Sequence, residues 1–378
     1  MALIRNNAVV GSQIACALSE LQQRGRNGSS PQRRDKSRPA PRESFGKTNT
    51  GSVCQSFGGV GRNVADSLTR LGERPLFISA IGADAHGDAV LSSCKHMDTS
   101  GVARMQEQRT ATYCVVITGT GDFSLGLGDM DIHQRITAQY VSQFEKQLSS
   151  ASLVCMDGNI PVTTIDYICS VAREHAVPVW YEPTDADKAC KPFLSDSWKA
   201  LSYTSPNLVE LCTMNRTLGL STPAVLPSDL QDVLRCAMTL CRPLLEHLQC
   251  VVVTLGPLGV LLCGEPEGGS VRLRPRTHRR REGQLCALHY PAMPIIPGDV
   301  VNVSGAGDSL AGGMMAGILQ GRSTDDSVRL GLMAARLSLV SPHPVAPSLT
   351  ADTVSLERVR SHAWPRPTAC LWTEETDQ

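Results

Sequence analysis

Residues 301–319 read VNVSGAGDSLAGGMMAGIL. The first residues form a loop, and the small and apolar residues after them predict a helix. Gly305, Ala306 and Gly307 are small enough for an anion to come close to the backbone. A helix N-terminus offers free N–H groups and the positive end of the helix dipole, which together make an anion site. Asp308 follows at once. A carboxylate beside an anion site repels the anion. Its use there is as a base that takes a proton from a hydroxyl attacking a bound phosphate. On these residues alone, a glycine-rich helix start with an acidic cap reads equally well.

Upstream, residues 57–72 read FGGVGRNVADSLTRLG. Val60, Val64, Leu68 and Leu71 recur at helical spacing, which predicts a helix from about Gly61. Gly58 and Gly59 precede it as a hinge or a point of close approach. Asn63 falls in the first turn, where an amide can hydrogen-bond sugar hydroxyls; a plain helix entry with a polar first turn is the alternative. Together, GGVGRN and GAGD resemble the two signatures of the PfkB (ribokinase-like) carbohydrate kinases, and the resemblance spans about Gly51 to Leu349. It implies an α/β fold: a three-layer ribokinase-like sandwich with a mostly parallel central sheet and a small β-lid. It also implies a phosphotransferase acting on an alcohol group, with ATP as co-substrate, Mg2+ with the nucleotide, and K+ as a further cation. Asp308 is then the catalytic base, and Gly305, Ala306 and Gly307 form the anion hole. Gly58, Gly59 and Asn63 meet the sugar.

Composition narrows the alternatives. The chain has 378 residues, 42% of them hydrophobic and 19% charged, with a formal net charge of zero. No global field favours nucleic acid or a membrane surface. Aromatic residues make up 4%, which argues against base-stacking platforms. No apolar run reaches the roughly 18 residues that a membrane span needs. The 14 cysteines are scattered without a CxxC pair, and most lie in apolar runs. They read as buried thiols in a reducing compartment. The resemblance implies a small nucleoside or sugar and ATP as partners, and its lid suits a homodimer. The expected location is cytoplasmic, with the mitochondrion as the alternative because the N-terminus is basic.

Residues 1–24 predict one short helical unit with Val10, Ile14, Leu18 and Leu21 on one face. The stretch ALIRNNAVVGSQIACALSELQ resembles the C-terminal tail of pseudouridine-5'-phosphate glycosidases, which implies descent from a glycosidase–kinase fusion. Residues 25–50 read as a basic flexible linker. Residues 51–360 form the expected PfkB-type kinase domain. The family opens on a strand that carries an Asp for the sugar, and no such strand precedes Gly51. A catalytically impaired nucleotide-binding isoform is the reading that this departure supports. Residues 361–378 read as a loosely held tail.

From Leu76 onward short apolar strands alternate with amphipathic helices, including one over ITAQYVSQFEKQL (136–148) and one over 162–175. That rhythm implies parallel strands with crossover helices, in which ligands gather at the C-terminal strand ends. Asp157, Asn159, Glu182 and Asn207 stand at such ends. Asn207 and Glu210 share a helix start, where they read either as a capping box or as a magnesium and phosphate site. The NxxE of the family implies the second, with Glu210 toward the metal and Asn207 toward ATP. Thr254, Gly256 and Gly259 in TLGPLG resemble the ATP-side turn of the family. Thr112 and Asp131, in the lid region, are the remaining candidate substrate contacts. RLRPRTHRRRE (272–282) reads as a solvated loop. Asn302 stands where the family most often has an acid, and SPHPVAPSL resembles the segment lining the adenine pocket and a monovalent-cation loop. Within the family, SVCQSFGGVGRNVADSL, TATYCVVI, GDMDIH and DGNI look most like pseudouridine kinases, which implies phosphorylation of a nucleoside 5'-hydroxyl. Ribokinase-like or adenosine-kinase-like activity is the alternative.

Overall fold

The computed structural model describes residues 53–117, 123–275 and 285–372. The expected glycosidase-like segment, the linker, the absent opening strand and most of the basic run 272–282 concern positions outside these residues. The chain divides into two units: residues 57–111 with 130–378, and residues 1–56 with 112–129.

The larger unit opens on helix α1 (Val60–Arg70), followed by β1 (Ser79–Gly82), α2 (Ala85–Ser93) and β2 (Val102–Met105). Strands β1 and β2 pair in parallel as a separate sheet. In the smaller unit, β3 (Thr112–Ile117) and β4 (Phe123–Asp129) form an antiparallel hairpin. Cys114, Val116, Leu125 and Leu127 share one hairpin face by register, and Leu127 is 62% exposed.

The helix expected over 136–148 is interrupted. It runs as α3 (Ala138–Val141), a 3-10 turn at Ser142–Phe144, and α4 (Glu145–Ser149). Ser142 Oγ donates to the Gln139 carbonyl at 2.9 Å, a local side-chain bond of the kind that competes with helical continuity.

The main sheet is assembled from β5 (Val154–Asp157), β6 (Val179–Glu182), β7 (Tyr203–Thr204), β8 (Cys250–Thr254) and β9 (Val260–Gly264). A short hairpin, β10 (Pro266–Glu267) with β11 (Ser270–Val271), follows, and β12 (Cys286–Tyr290) and β13 (Thr368–Cys370) complete it. The order is β13-β12-β9-β8-β7-β6-β5. Strands β5 to β8 run parallel, and the pairings beyond β8 are antiparallel. Among the described residues no pairing joins β1 to this sheet. Residues 361–372 depart from the expected loose tail. Thr368–Cys370 pairs with β12, and Trp364 and Trp372 pack against the two cores. Indole burial there outweighs the low apolar content of the segment.

Alternation along the strands builds the layers. Val251 and Val253 of β8, with Leu261 and Cys263 of β9, face one core. Helices α5 (Val162–Glu174), α6 (Leu208–Thr217) and α7 (Leu230–Leu244) cover it. Cys250, Val252, Val260 and Leu262 face the other core, covered by α1, α8 (Ala306–Leu319) and α9 (Thr324–Leu339). A short α10 (Leu356–Ser361) follows. This is the three-layer α/β sandwich that the sequence predicts.

Helices α8 and α9 approach so closely that a Cβ on Gly313 would stand 2.7 Å from the Gly331 Cα. Gly313→Val is therefore expected to destabilise the fold by about 1–3 kcal/mol, read as a lower urea midpoint. Gly298→Ala, where nothing lies within 4 Å, is the control and is expected to stay within about 0.5 kcal/mol.

Candidate active site

Helix α8 begins at a residue that must be glycine. Gly305 is its N-cap at φ 80°, and a Cβ there would meet the Pro344 carbonyl oxygen at 2.3 Å. The Ser309 N–H donates to the Gly305 carbonyl at 2.9 Å, closing the first helical turn. The N–H groups of Ala306, Gly307 and Asp308 lie ahead of that bond, where a helix has no partner of its own to offer them.

Helix α1 starts in the same manner at Gly59, with φ 99°, next to the exposed Gly58. It packs across α8, where a Cβ on Gly312 would fall 2.6 Å from Ser67 Cβ. That proximity brings two stretches 245 residues apart into contact: Asn63 Nδ2 donates to Asp308 Oδ2 at 2.6 Å. Burial pushes the Asp308 carboxyl up to about 6, against the hydrogen bond from Asn63.

The parallel strands deliver the other wall at their C-terminal ends. Glu182 closes β6 and Pro183 follows it, Ser205 and Asn207 follow β7, and Thr254 closes β8; these residues, with Val60, Thr184, Glu210, Gly307 and Asp308, line a cavity of about 150 Å³. Asn207 caps α6, accepting from the N–H groups of Val209 (2.9 Å) and Glu210 (3.0 Å). Glu210 Oε2 accepts from the Asn207 N–H at 2.8 Å, so the capping box is complete. Burial pushes Glu210 up to about 7, and the charges of Asp185 and Asp308 add to this. Glu182 accepts from Trp180 Nε1 at 2.7 Å and from Ser205 Oγ, yet burial holds it well above the usual carboxylate range. Three carboxyls thus face one cavity whose lining includes no Lys, Arg or His.

The sequence-predicted residues are gathered unevenly. Asp308, Gly307, Asn207, Glu210 and Thr254 meet at the cavity, with Asn63 reaching Asp308 from behind. Gly305 and Ala306 sit at the same helix start. Gly256 (φ 57°) and Gly259 (φ 98°) lie in the β8–β9 turn and do not line it; a Cβ on Gly259 would meet the Tyr290 carbonyl oxygen at 2.1 Å. Asp131 is exposed at the head of a 3-10 turn, and Thr112 begins the hairpin of the other unit. Asn302 Oδ1 accepts from the Ser304 N–H at 3.0 Å in the loop ahead of α8.

Sequence reasoning gave no role to Thr184, Ser205, Glu182 or Arg62. Thr184 holds φ 72°, a strained value for a β-branched residue, on the cavity wall. No sequence signal marks that strain. Glu182 was marked only by its place at a strand end.

The family model described as pfkB family carbohydrate kinase matches residues 40–351. The chain belongs to that family. It is a phosphotransferase with a hydroxyl acceptor, as the site suggests. A pseudouridine kinase of Arabidopsis thaliana is 29% identical over 349 residues, covering 84% of this chain and 91% of that protein. A pseudouridine kinase of Escherichia coli strain K12 is 26% identical over 321 residues, covering 82% and 89%. An Arabidopsis thaliana ribokinase solved with ribose and ATP matches with a TM-score of 0.65 at 18% identity, covering 86% of this chain and 94% of that one. That likeness establishes the ribokinase-like fold. Among the described residues no helix is long and apolar enough to cross a membrane. Among them, too, no group of three or more His, Cys, Asp or Glu side chains is placed to hold a metal by itself.

Asp308 and Glu210 bind a proton more tightly folded than unfolded, since their values rise from 3.8 to about 6 and from 4.5 to about 7. Their stabilising contribution is full below about 4 and is lost as pH rises through about 6 and 7. Tm of the ligand-free chain is expected to rise as pH falls from 8 to 5.5. Asp308→Asn and Glu210→Gln should each flatten that slope, and the glutamine retains a capping-box partner.

Proposed function

We propose that this chain transfers the terminal phosphoryl group of ATP to the 5'-hydroxyl of pseudouridine. The observation that carries the reading is the 2.6 Å hydrogen bond from Asn63 to Asp308, which sets the sugar-side and phosphate-side stretches on one carboxylate. The choice of nucleoside is supported by the similarity to the two pseudouridine kinases.

Asp308 takes the proton of the attacking hydroxyl, whose oxygen forms the new bond to phosphorus as the bond to the ADP oxygen breaks. Asn63, Gly58 and Gly59 hold the sugar, and Asp131 is a further substrate contact. The N–H groups of Gly305, Ala306 and Gly307 stabilise charge on the transferring phosphoryl. Asn207, Thr254, Gly256 and Gly259 border the nucleotide. The donor set suits Mg2+, which keeps several waters and takes few protein ligands. Glu210 is the residue that would hold it, in a cavity of three carboxyls and no basic side chain. When bound with ATP, Mg2+ offsets phosphate charge. We assign K+ to the loop at residues 341–349, beside Asn302.

The exposed apolar face of the β3–β4 hairpin supports a homodimer through that face. The buried, unpaired cysteines support a reducing compartment, the cytoplasm first. Residues 51–360 form the kinase domain in this reading, and residues 1–24 are a segment of the pseudouridine-5'-phosphate glycosidase C-terminal type. A second reading is an impaired nucleotide-binding isoform, which the departure of the sequence from the family pattern ahead of Gly51 supports.

The test is ATP-dependent phosphorylation by the purified chain with Mg2+ and K+, offering pseudouridine, uridine, adenosine and ribose in parallel. Pseudouridine is expected to be preferred. Preference for ribose or adenosine overturns the substrate. ATP binding without turnover on any acceptor supports the impaired isoform. Asp308→Asn is expected to lower kcat by about 10²–10⁴-fold with ATP affinity little changed; retained turnover overturns the base assignment.

A further inference from the structure

We propose that Arg62 is a positioning residue for the reaction: its guanidinium fixes the Asn63 amide so that the nitrogen, and not the oxygen, faces Asp308. The inference rests on the reading of Asp308 as the base. Arg62 is 8% exposed, in the first turn of α1. Its Nη2 donates to Asn63 Oδ1 at 2.5 Å and to the Phe57 carbonyl at 2.6 Å. Its Nε donates to the Gly58 carbonyl at 3.0 Å, and its Nη1 to Asp66 Oδ2 at 3.2 Å. A guanidinium only donates. The amide atom beside it must therefore be the acceptor oxygen, and the nitrogen must point to Asp308. The ionised Asp308, which only accepts, selects the same orientation from the other side, so the two partners hold one amide between them.

The four contacts also say what the residue is for. Three of them go to the glycine loop and to Asn63, and the ion pair with Asp66 is the longest of the set. Asp66 is itself held by Arg70 at 2.7 Å and His96 at 2.6 Å. One planar fork thus ties the Phe57–Gly58 carbonyls to the amide on Asp308. A lysine, as a point charge on a flexible stem, cannot reproduce that geometry.

The surroundings of Asp308 make the amide orientation matter. Asp157 from β5 and Glu182 from β6 face it, with Cys155 beside them and Glu210 from α6 across the cavity. Arg62 is the cation in this set. A flipped amide would set its oxygen against the carboxylate, acceptor against acceptor. That clash favours the protonated, inactive acid.

The test is the pH profile of kcat/KM for Arg62→Lys and Arg62→Met, read on whichever of the four acceptors turns over, after each variant is shown to melt cooperatively. The acid limb is expected to move up by about one pH unit, and kcat at neutral pH to fall about 10–100-fold. In an Asn63→Ala background, Arg62→Met is expected to add less than about twofold, because Arg62 acts through the amide. An unmoved acid limb with multiplying losses overturns the proposal. If Arg62→Met does not fold, Arg62→Lys, which keeps charge and stem, carries the same readout. Asp308→Asn separates the two claims: turnover retained there sinks the base reading. Turnover lost there, with the Arg62→Lys limb unmoved, sinks the Arg62 proposal alone. If no acceptor is phosphorylated, the carboxyl titration of 13C-labelled Asp308 is read instead; an upward shift in Arg62→Lys supports the proposal and none overturns it.

Discussion

The hydrogen bond from Asn63 to Asp308 sets how closely α1 and α8 must lie. An amide and a carboxylate on two short side chains meet at 2.6 Å only if the helix backbones nearly touch. The glycines of α8 meet that demand. Gly312 lies under Ser67 of α1, and Gly313 and Gly317 lie under Gly331 and Ser327 of α9. Glycine in a helix interior costs about 0.5–1 kcal/mol against alanine. Here it is tolerated because any Cβ would push the helices apart and with them the two halves of the site. The GG after GAGD is thus a packing element that serves a chemical one.

Electrostatics at the site run against the stability of the empty fold. Glu182, Glu210 and Asp308 converge on one cavity, and burial raises each above its ordinary value. A fold selected for stability alone would place a basic side chain among them or leave them in water. A cationic ligand would neutralise such an arrangement, and its binding to the folded state alone would add stability by mass action. The Asn63 amide and Arg62 moderate the charge on Asp308 without closing the cavity.

Much of this was legible in the sequence because it rests on spacing. The small residues of GAGD, the helical period of 60–71 and the polar residues at strand ends each follow from local rules. The interrupted helix at 136–148 was not legible, because its apolar spacing is helical while Ser142 turns inward to the backbone. The edge strand at 368–370 was missed because its partner, β12, is distant in sequence and three residues carry no periodicity. Thr184 could not be anticipated at all: a positive φ at a β-branched residue has no mark in the sequence. Arg62 was visible only as a basic residue in a signature, and its meaning depends on which atoms its fork reaches.

Asn207 and Glu210 show why a structural and a functional reading of one motif need not exclude each other. The capping box uses Asn207 Oδ1 and Glu210 Oε2 to hold the backbone of α6. Those bonds fix both side chains at the cavity wall, with rotamers locked before any ligand arrives. A carboxylate has two oxygens, so anchoring one orients the other at no further entropic cost. The cap is therefore the means by which a flexible glutamate becomes a preorganised one, as any contact to phosphate or a metal would require. Sequence reasoning posed cap and ligand site as rivals, and the geometry shows that the hydrogen bonds of the cap leave room for both.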